Sequence, residues 1–218
     1  LGEQAKKKYE NYKFGFYQPY ELGNKTLQYN FNGGAEWMGG SVDHKNGIMY
    51  VTSNNTLWET GITKVEDNRS LIPKYVSNFN RALDKNGYPV IKPPWGSLTA
   101  LNLNNGKIIW QVPFGEFPDL ISINKTGTPN FGGATGSAGG LIFATGTIDK
   151  KVRAFDLKNG REVWNYELEY VGSNPPTIYS HKNEQYILIT STGSLSLKRQ
   201  FPKKVNFGNW LYSFKLKN

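Results

Sequence analysis

One twelve-residue phrase occurs twice, and few architectures accommodate it. Thr99–Trp110 reads TALNLNNGKIIW and Arg153–Trp164 reads RAFDLKNGREVW, aligned without a gap. Ala100 matches Ala154, Leu103 matches Leu157, Asn105-Gly106 matches Asn159-Gly160, and Trp110 matches Trp164. Alternation on both sides of Asn-Gly predicts a strand, a tight turn and a second strand, because that turn needs φ > 0 and Asn-Gly adopts it at low cost. A hairpin repeated 54 residues on (99 to 153) is the mark of a β-propeller or a related array. The Trp closing each hairpin is a large apolar side chain at a fixed place in a repeated sheet. It is expected to pack between neighbouring sheets.

A second echo sets the boundaries. Gly39–Ser53 (GGSVDHKNGIMYVTS) lies over Gly132–Gly146 (GGATGSAGGLIFATG), and Pro176–Thr190 is a weaker third copy. The predicted fold is all-β: one partial propeller domain over 1–218, of about three four-stranded antiparallel blades at 32–114, 132–168 and 175–218. The first blade carries an insert, 54–95, with Pro73, Pro89, Pro93 and Pro94. It reads as a long loop, and loops of this length commonly serve function or cover something. Upstream, Leu1–Lys13 reads as a short helix or an extended arm, Phe14–Leu22 as irregular packed chain, and Lys25–Phe31 as a strand. The last blade ends on Trp210–Leu216 (WLYSFKL), a third strand with no fourth after it. Three blades cannot close a ring, so the chain is expected to be the C-terminal part of a longer protein whose upstream strand completes the last sheet.

Composition narrows the chemistry. The chain has no cysteine, which excludes disulfides, a thiol nucleophile, a cysteine zinc site and a CxxCH haem attachment here. A net charge of +9 invites a nucleic-acid reading, but the lysines are scattered, with runs only at Lys6–Lys8 and Lys203-Lys204, so no nucleic-acid partner is expected. His44 and His181 fall at turns and read as surface residues. Asp43, Asp149 and Asp156 fall at strand ends or turns, where Asp serves local hydrogen bonding. Trp58 and Trp95 bracket the insert and read as its anchors.

Asn32–Gly40, NGGAEWMGG, has two Gly pairs around Glu36-Trp37. Glycine permits close approach of a flat ligand, for which Trp37 offers a planar face and Glu36 an acceptor. It equally permits crowding of an inner strand near a propeller axis, and residue chemistry leaves both open.

Several phrases together resemble the pyrroloquinoline quinone-dependent dehydrogenases, nearest the membrane-associated glucose dehydrogenase branch. They are NGGAEWMGGSVDHKNGIMYV, the Lys92–Glu116 run KPPWGSLTALNLNNGKIIWQVPFGE, and the Thr126–Trp164 run ending KKVRAFDLKNGREVW. The resemblance covers about Tyr9 to the C-terminus. It implies an eight-bladed quinoprotein propeller that oxidises a sugar, a glucose-like aldose, or an alcohol hydroxyl, with pyrroloquinoline quinone near the axis and calcium beside it. It implies a periplasmic protein, associated with the inner membrane, that passes electrons to a membrane quinone or cytochrome c. The family's catalytic aspartate and calcium ligands match no position here, so no catalytic residue and no metal ligand is assigned. Three cofactor-facing positions carry over: Trp37, Glu36 before it, where the alcohol-oxidising branch has Asn, and Gly193 in the final-blade loop. That loop departs from the family's Gly-rich run, and Lys198–Lys204 is altered as well. The rival reading is a non-catalytic scaffold propeller built from the same repeats.

Overall fold

The computed structural model describes residues 3–31, 33–65, 74–120 and 125–215. In chain order, helix α1 (Glu3–Tyr9) leads into β1 (Lys13–Phe14), β2 (Lys25–Tyr29), β3 (Ser41–Asp43), β4 (Ile48–Asn54), β5 (Leu57–Lys64) and β6 (Tyr75–Arg81). Then come β7 (Gly96–Asn102), β8 (Ile108–Pro113), β9 (Ala134–Gly136), β10 (Leu141–Ala144), β11 (Lys151–Asp156) and β12 (Glu162–Glu167). The chain finishes with β13 (Thr177–His181), β14 (Glu184–Ser191), helix α2 (Leu195–Gln200) and β15 (Trp210–Lys215). Two compact units emerge: Leu1–Gly33 with Asn55–Lys92, and Gly34–Asn54 with Pro93–Asn218.

The first unit corrects the reading of the insert. Residues 54–95 are not a long loop. They carry β5 and β6, which join β1 and β2 in a four-stranded sheet of order β1-β2-β5-β6. β2 pairs antiparallel with β5 (Leu27 opposite Glu59), and β5 with β6 (Trp58 opposite Arg81). Part of the insert, 66–73 with Pro73, lies outside the described residues. The Leu1–Lys13 stretch supplies α1, whose Glu3 at the start and Lys6–Lys8 at the end complement the helix dipole. Tyr9 of α1 is buried with Leu27, Leu57, Ala82 and Val90. The 14–22 segment is irregular chain packed only on one side: Phe14 and Phe16 lie against Tyr29 at 5.5 and 5.7 Å, while Phe16 is still 70% and Tyr17 95% exposed.

The second unit holds three sheets, β3-β4-β7-β8, β9-β10-β11-β12 and β13-β14-β15. The two four-stranded sheets are antiparallel throughout, and their β7–β8 and β11–β12 pairs share one irregularity. The register shifts between Ala100 and Leu101 in the first and between Ala154 and Phe155 in the second, matching positions of the repeated phrase. The turns match too. Asn102 Oδ1 accepts from Asn104 N (2.9 Å) and Asp156 Oδ1 from Lys158 N (2.7 Å). Gly106 (φ 71°) and Gly160 (φ 70°) close the two turns. These are longer Asx-led turns with one left-handed glycine and a bulge, rather than the two-residue turn that Asn-Gly suggests.

Packing between sheets follows the prediction for Trp110. Its Nε1 donates to Leu157 O (3.0 Å) and its ring lies 5.9 Å from Tyr50. Tyr50, Leu98, Ala100, Phe114, Ile142, Ala144 and Phe155 form one buried cluster there. Trp164 differs. It is 37% exposed and meets Phe214 of the third sheet edge-on at 5.3 Å. The third sheet has three strands among the described residues, with β15 at its edge.

Candidate functional site

In a four-stranded meander the first–second and third–fourth turns lie at one end of the sheet. The entry to the first strand and the second–third connection lie at the other. Glu36-Trp37 sits on the entry to β3, and Gly193 on the connection from β14 to β15, so connectivity puts both at the end away from the Asn-Gly turns.

The 34–39 loop is not an inner strand. One isolated bridge, Ala35 to Ser53, is all the ladder it makes. Backbone bonds hold it instead: Glu36 N to Thr52 O (3.0 Å), Asn54 N to Gly34 O (2.8 Å) and Gly39 N to Glu36 O (3.2 Å). Glu36 and Trp37 then point opposite ways. Glu36 is buried, and its Oε1 accepts from Asn54 Nδ2. The Trp37 indole is 82% exposed. Asn54 also clasps Asn130. Its Oδ1 accepts from Asn130 N (2.9 Å) and Asn130 Nδ2 (3.0 Å), while its Nδ2 donates to Asn130 O (3.2 Å). A buried amide pair thus fixes the end of β4 to the approach to β9, with Glu36 as its third member.

The entries to the three sheets converge at Gly133. A Cβ there would lie 3.2 Å from Met38 Cβ and 2.8 Å from Pro175 Cγ. Gly193 stands beside the entry to β13, with its N donating to Val171 O (2.9 Å). Its φ is +84°, and a Cβ would come within 2.3 Å of Asn206 O and 2.9 Å of Phe207 Cδ1. Glycine is therefore required at 193 by the return of its own loop, whatever else it faces.

Sequence reasoning missed the strongest electrostatic feature of this end. Asp149, read as a turn residue, is buried with Arg153 and ion-paired to Arg153 Nη2. Asp149 Oδ2 also accepts from Glu116 N (2.8 Å), and Arg153 Nε reaches Glu162 at 3.2 Å. Burial alone would raise the Asp149 carboxyl, but Arg153, the Thr147 hydroxyl and the Glu116 amide outweigh it and hold the group below the usual carboxylate range. The repeat gave no signal for the pair, because Trp95 and Thr99 occupy the matching positions of the earlier phrase. His44 and His181 are exposed, as read. No group of three His, Cys, Asp or Glu side chains among the described residues could hold a metal ion.

The arrangement offers an exposed indole face on a backbone-bonded loop whose neighbouring carboxylate is occupied with protein. That suits stacking of a flat, electron-poor ring and fits a quinone through Trp37. It does not turn a free Glu36 carboxylate toward such a ligand.

The family model for the β-propeller domain of glucose/ethanol/alcohol dehydrogenases, labelled PQQ, matches residues 2–187. A "Probable quinate dehydrogenase (quinone)" of Xanthomonas campestris pv. juglandis is 38% identical over 152 residues, covering 65% of this chain and 18% of that protein. The glycerol dehydrogenase large subunit of Gluconobacter thailandicus is 29% identical over 214 residues, covering 82% of this chain and 29% of that protein. Among solved structures, a europium-containing methanol dehydrogenase superposes with a TM-score of 0.67 at 20% identity, over 90% of this chain and 36% of that one. The chain thus spans less than a third of the length of these curated relatives.

Proposed function

The chain belongs to the glucose/ethanol/alcohol dehydrogenase β-propeller family, and from that membership we propose that it is part of a pyrroloquinoline quinone-dependent dehydrogenase. Its substrate is a sugar or an alcohol, oxidised at a C–OH carbon. The match across residues 2–187 carries this reading. The chemistry a bound quinone supplies is acceptance of the two electrons released as C–OH becomes C=O.

This chain's own part is to shape one wall of the site. Trp37 gives the flat ring an indole face to stack on. Glu36 acts through that indole: by holding Asn54, it keeps the 34–39 loop in the shape that leaves Trp37 outward. Gly193 lets the β14–β15 connection fold back on itself beside the entry to β13. No position of this chain is assigned as a calcium ligand or as the base that takes the hydroxyl proton. Electrons pass to a membrane quinone or a cytochrome c, and the protein works in the periplasm at the inner membrane.

The test is reconstitution of the full-length protein with pyrroloquinoline quinone and Ca²⁺. Dye reduction is then followed with glucose, glycerol, quinate and ethanol. Activity requiring both additions supports the reading and names the substrate. Absence of quinone binding overturns it in favour of a scaffold propeller.

A further inference from the structure

The sheet of the first unit has a hollow at its centre. On one face of β5 the side chains in line are Glu59, Gly61 and Thr63. Gly61 stands opposite Lys25 on β2 and Asn78 on β6, and Glu59 opposite Asn80. Helix α1 covers only the half of this face nearer Leu27 and Leu57. The missing side chain at Gly61 leaves the other half open as a depression of about 360 Å³, lined by Lys25, Glu59, Gly61, Asn78 and Asn80 among others. That volume is at the small end of ligand sites and suits a six-carbon molecule.

The polar groups around the hollow are only partly committed. Glu59 Oε1 accepts from Lys8 Nζ (2.8 Å) and Tyr9 OH (2.5 Å), while Oε2 receives only a long approach from Tyr12 OH (3.5 Å). Burial alone would raise this carboxyl, but Lys8 and Tyr9 outweigh it and keep it below the usual carboxylate range, hence ionised at neutral pH. Asn78 donates to Thr63 Oγ1 (2.7 Å) and keeps its carbonyl oxygen. The Asn80 amide makes no side-chain hydrogen bond among the described residues. Lys25 reaches only the Tyr12 ring, at 5.8 Å from its centroid. The open set is thus a carboxylate oxygen, two amide oxygens, an amide NH₂ and an ammonium, spaced by one strand separation on each side of a gap. Hydroxyl groups both donate and accept, and adjacent hydroxyls on one ring meet such a set in pairs. Lys8 and Lys25 both flank Glu59, so the surround carries one net positive charge, with no cationic cluster to select a phosphate and no acidic cluster to select a polycation.

We propose that the hollow at Gly61 binds a small polyhydroxylated molecule, a sugar or polyol, at a site separate from the oxidation chemistry. The proposal does not rest on the dehydrogenase reading. The probe is methyl α-D-glucopyranoside, whose blocked anomeric carbon keeps it from oxidation as an aldose. It is titrated by calorimetry into the full-length protein and into Asn80→Leu, Lys25→Met and Gly61→Ala. The expected result is saturable binding that each variant weakens by about fivefold or more, through loss of roughly one net hydrogen bond in Asn80→Leu and Lys25→Met and through loss of space in Gly61→Ala. Quinone binding and dye-reduction kinetics stay unchanged in all three. Binding equal in the wild type and the variants would assign the sugar elsewhere and overturn the proposal. So would no binding at about 100 mM probe, or displacement of the glucoside by glycine, which would mark the carboxylate and ammonium as a zwitterion site.

Discussion

Gly160 faces the six-membered ring of Trp110 across the boundary between two sheets. A Cβ at residue 160 would lie 2.6 Å from Trp110 Cε3 and 2.9 Å from Cδ2 and Cζ3. The Trp of one repeated phrase therefore rests on the turn glycine of the next, and its indole N–H is taken up by Leu157 O of the same turn.

This pairing separates two glycines of nearly equal φ. Gly106→Ala meets nothing within 4 Å, so only the left-handed conformation opposes it, at about 1–2 kcal/mol. Gly160→Ala adds overpacking against Trp110, about 1–3 kcal/mol more. Denaturant unfolding of the full-length protein should rank Gly160→Ala as the more destabilising. Equal losses would mean that the Trp110 contact yields without cost.

The two repeated tryptophans should also differ. Trp110 is half-buried and hydrogen-bonded, and Trp110→Ala is expected to cost about 3 kcal/mol or more. Trp164, at 37% exposure, should cost clearly less on the same substitution. A larger loss at Trp164 would show that a surface not described here covers it.

The Asp149–Arg153 pair makes a prediction about acid. A carboxyl whose folded pKa is depressed adds stability above its unfolded pKa, about 3.9, and loses it as pH falls through the folded value. Asp149→Asn should therefore flatten the fall of stability below about pH 4. Arg153→Met, which strands a buried carboxylate, should cost about 3–5 kcal/mol at neutral pH. Thermal unfolding between pH 3 and 7 reads both, and an unchanged acid limb in Asp149→Asn would remove this pair from the account.

Trp37→Ala is the test of the indole platform. The side chain is 82% exposed, so stability should change by no more than about 0.5 kcal/mol, while quinone retention through gel filtration should fall. Retention equal to wild type would make Trp37 an ordinary surface residue. Glu36→Ala should do both: it should lower stability by about 1–3 kcal/mol by leaving one hydrogen of the buried Asn54 amide unpaired, and it should weaken retention by freeing the loop.

The readable parts of the fold were the local ones. The hairpins at 99–110 and 153–164 and their closing tryptophans follow from alternation and turn chemistry within a dozen residues. The insert was misread for the opposite reason. β5 is largely buried and β6 almost wholly exposed, so neither shows clean alternation, and their partner β2 lies some 30 residues upstream. The 14–22 segment is less buried than its aromatic content suggests, because among the described residues only Phe14 and Phe16 meet a ring beyond the segment, that of Tyr29.

The site divides in the same way. Sequence singled out Glu36 and Trp37 as adjacent residues in a glycine frame, and resemblance named the family. It could not say that one would be buried and the other exposed. That was decided by Asn54 and Asn130, 76 residues apart, which meet only once two sheets have packed. The sequence by itself determined the repeat, the turns and the sheet-forming faces, because those depend on neighbours along the chain. Tertiary structure alone decided which carboxylates became ion pairs or clasps and which indole remained free, because burial and hydrogen-bond partners depend on residues distant in sequence.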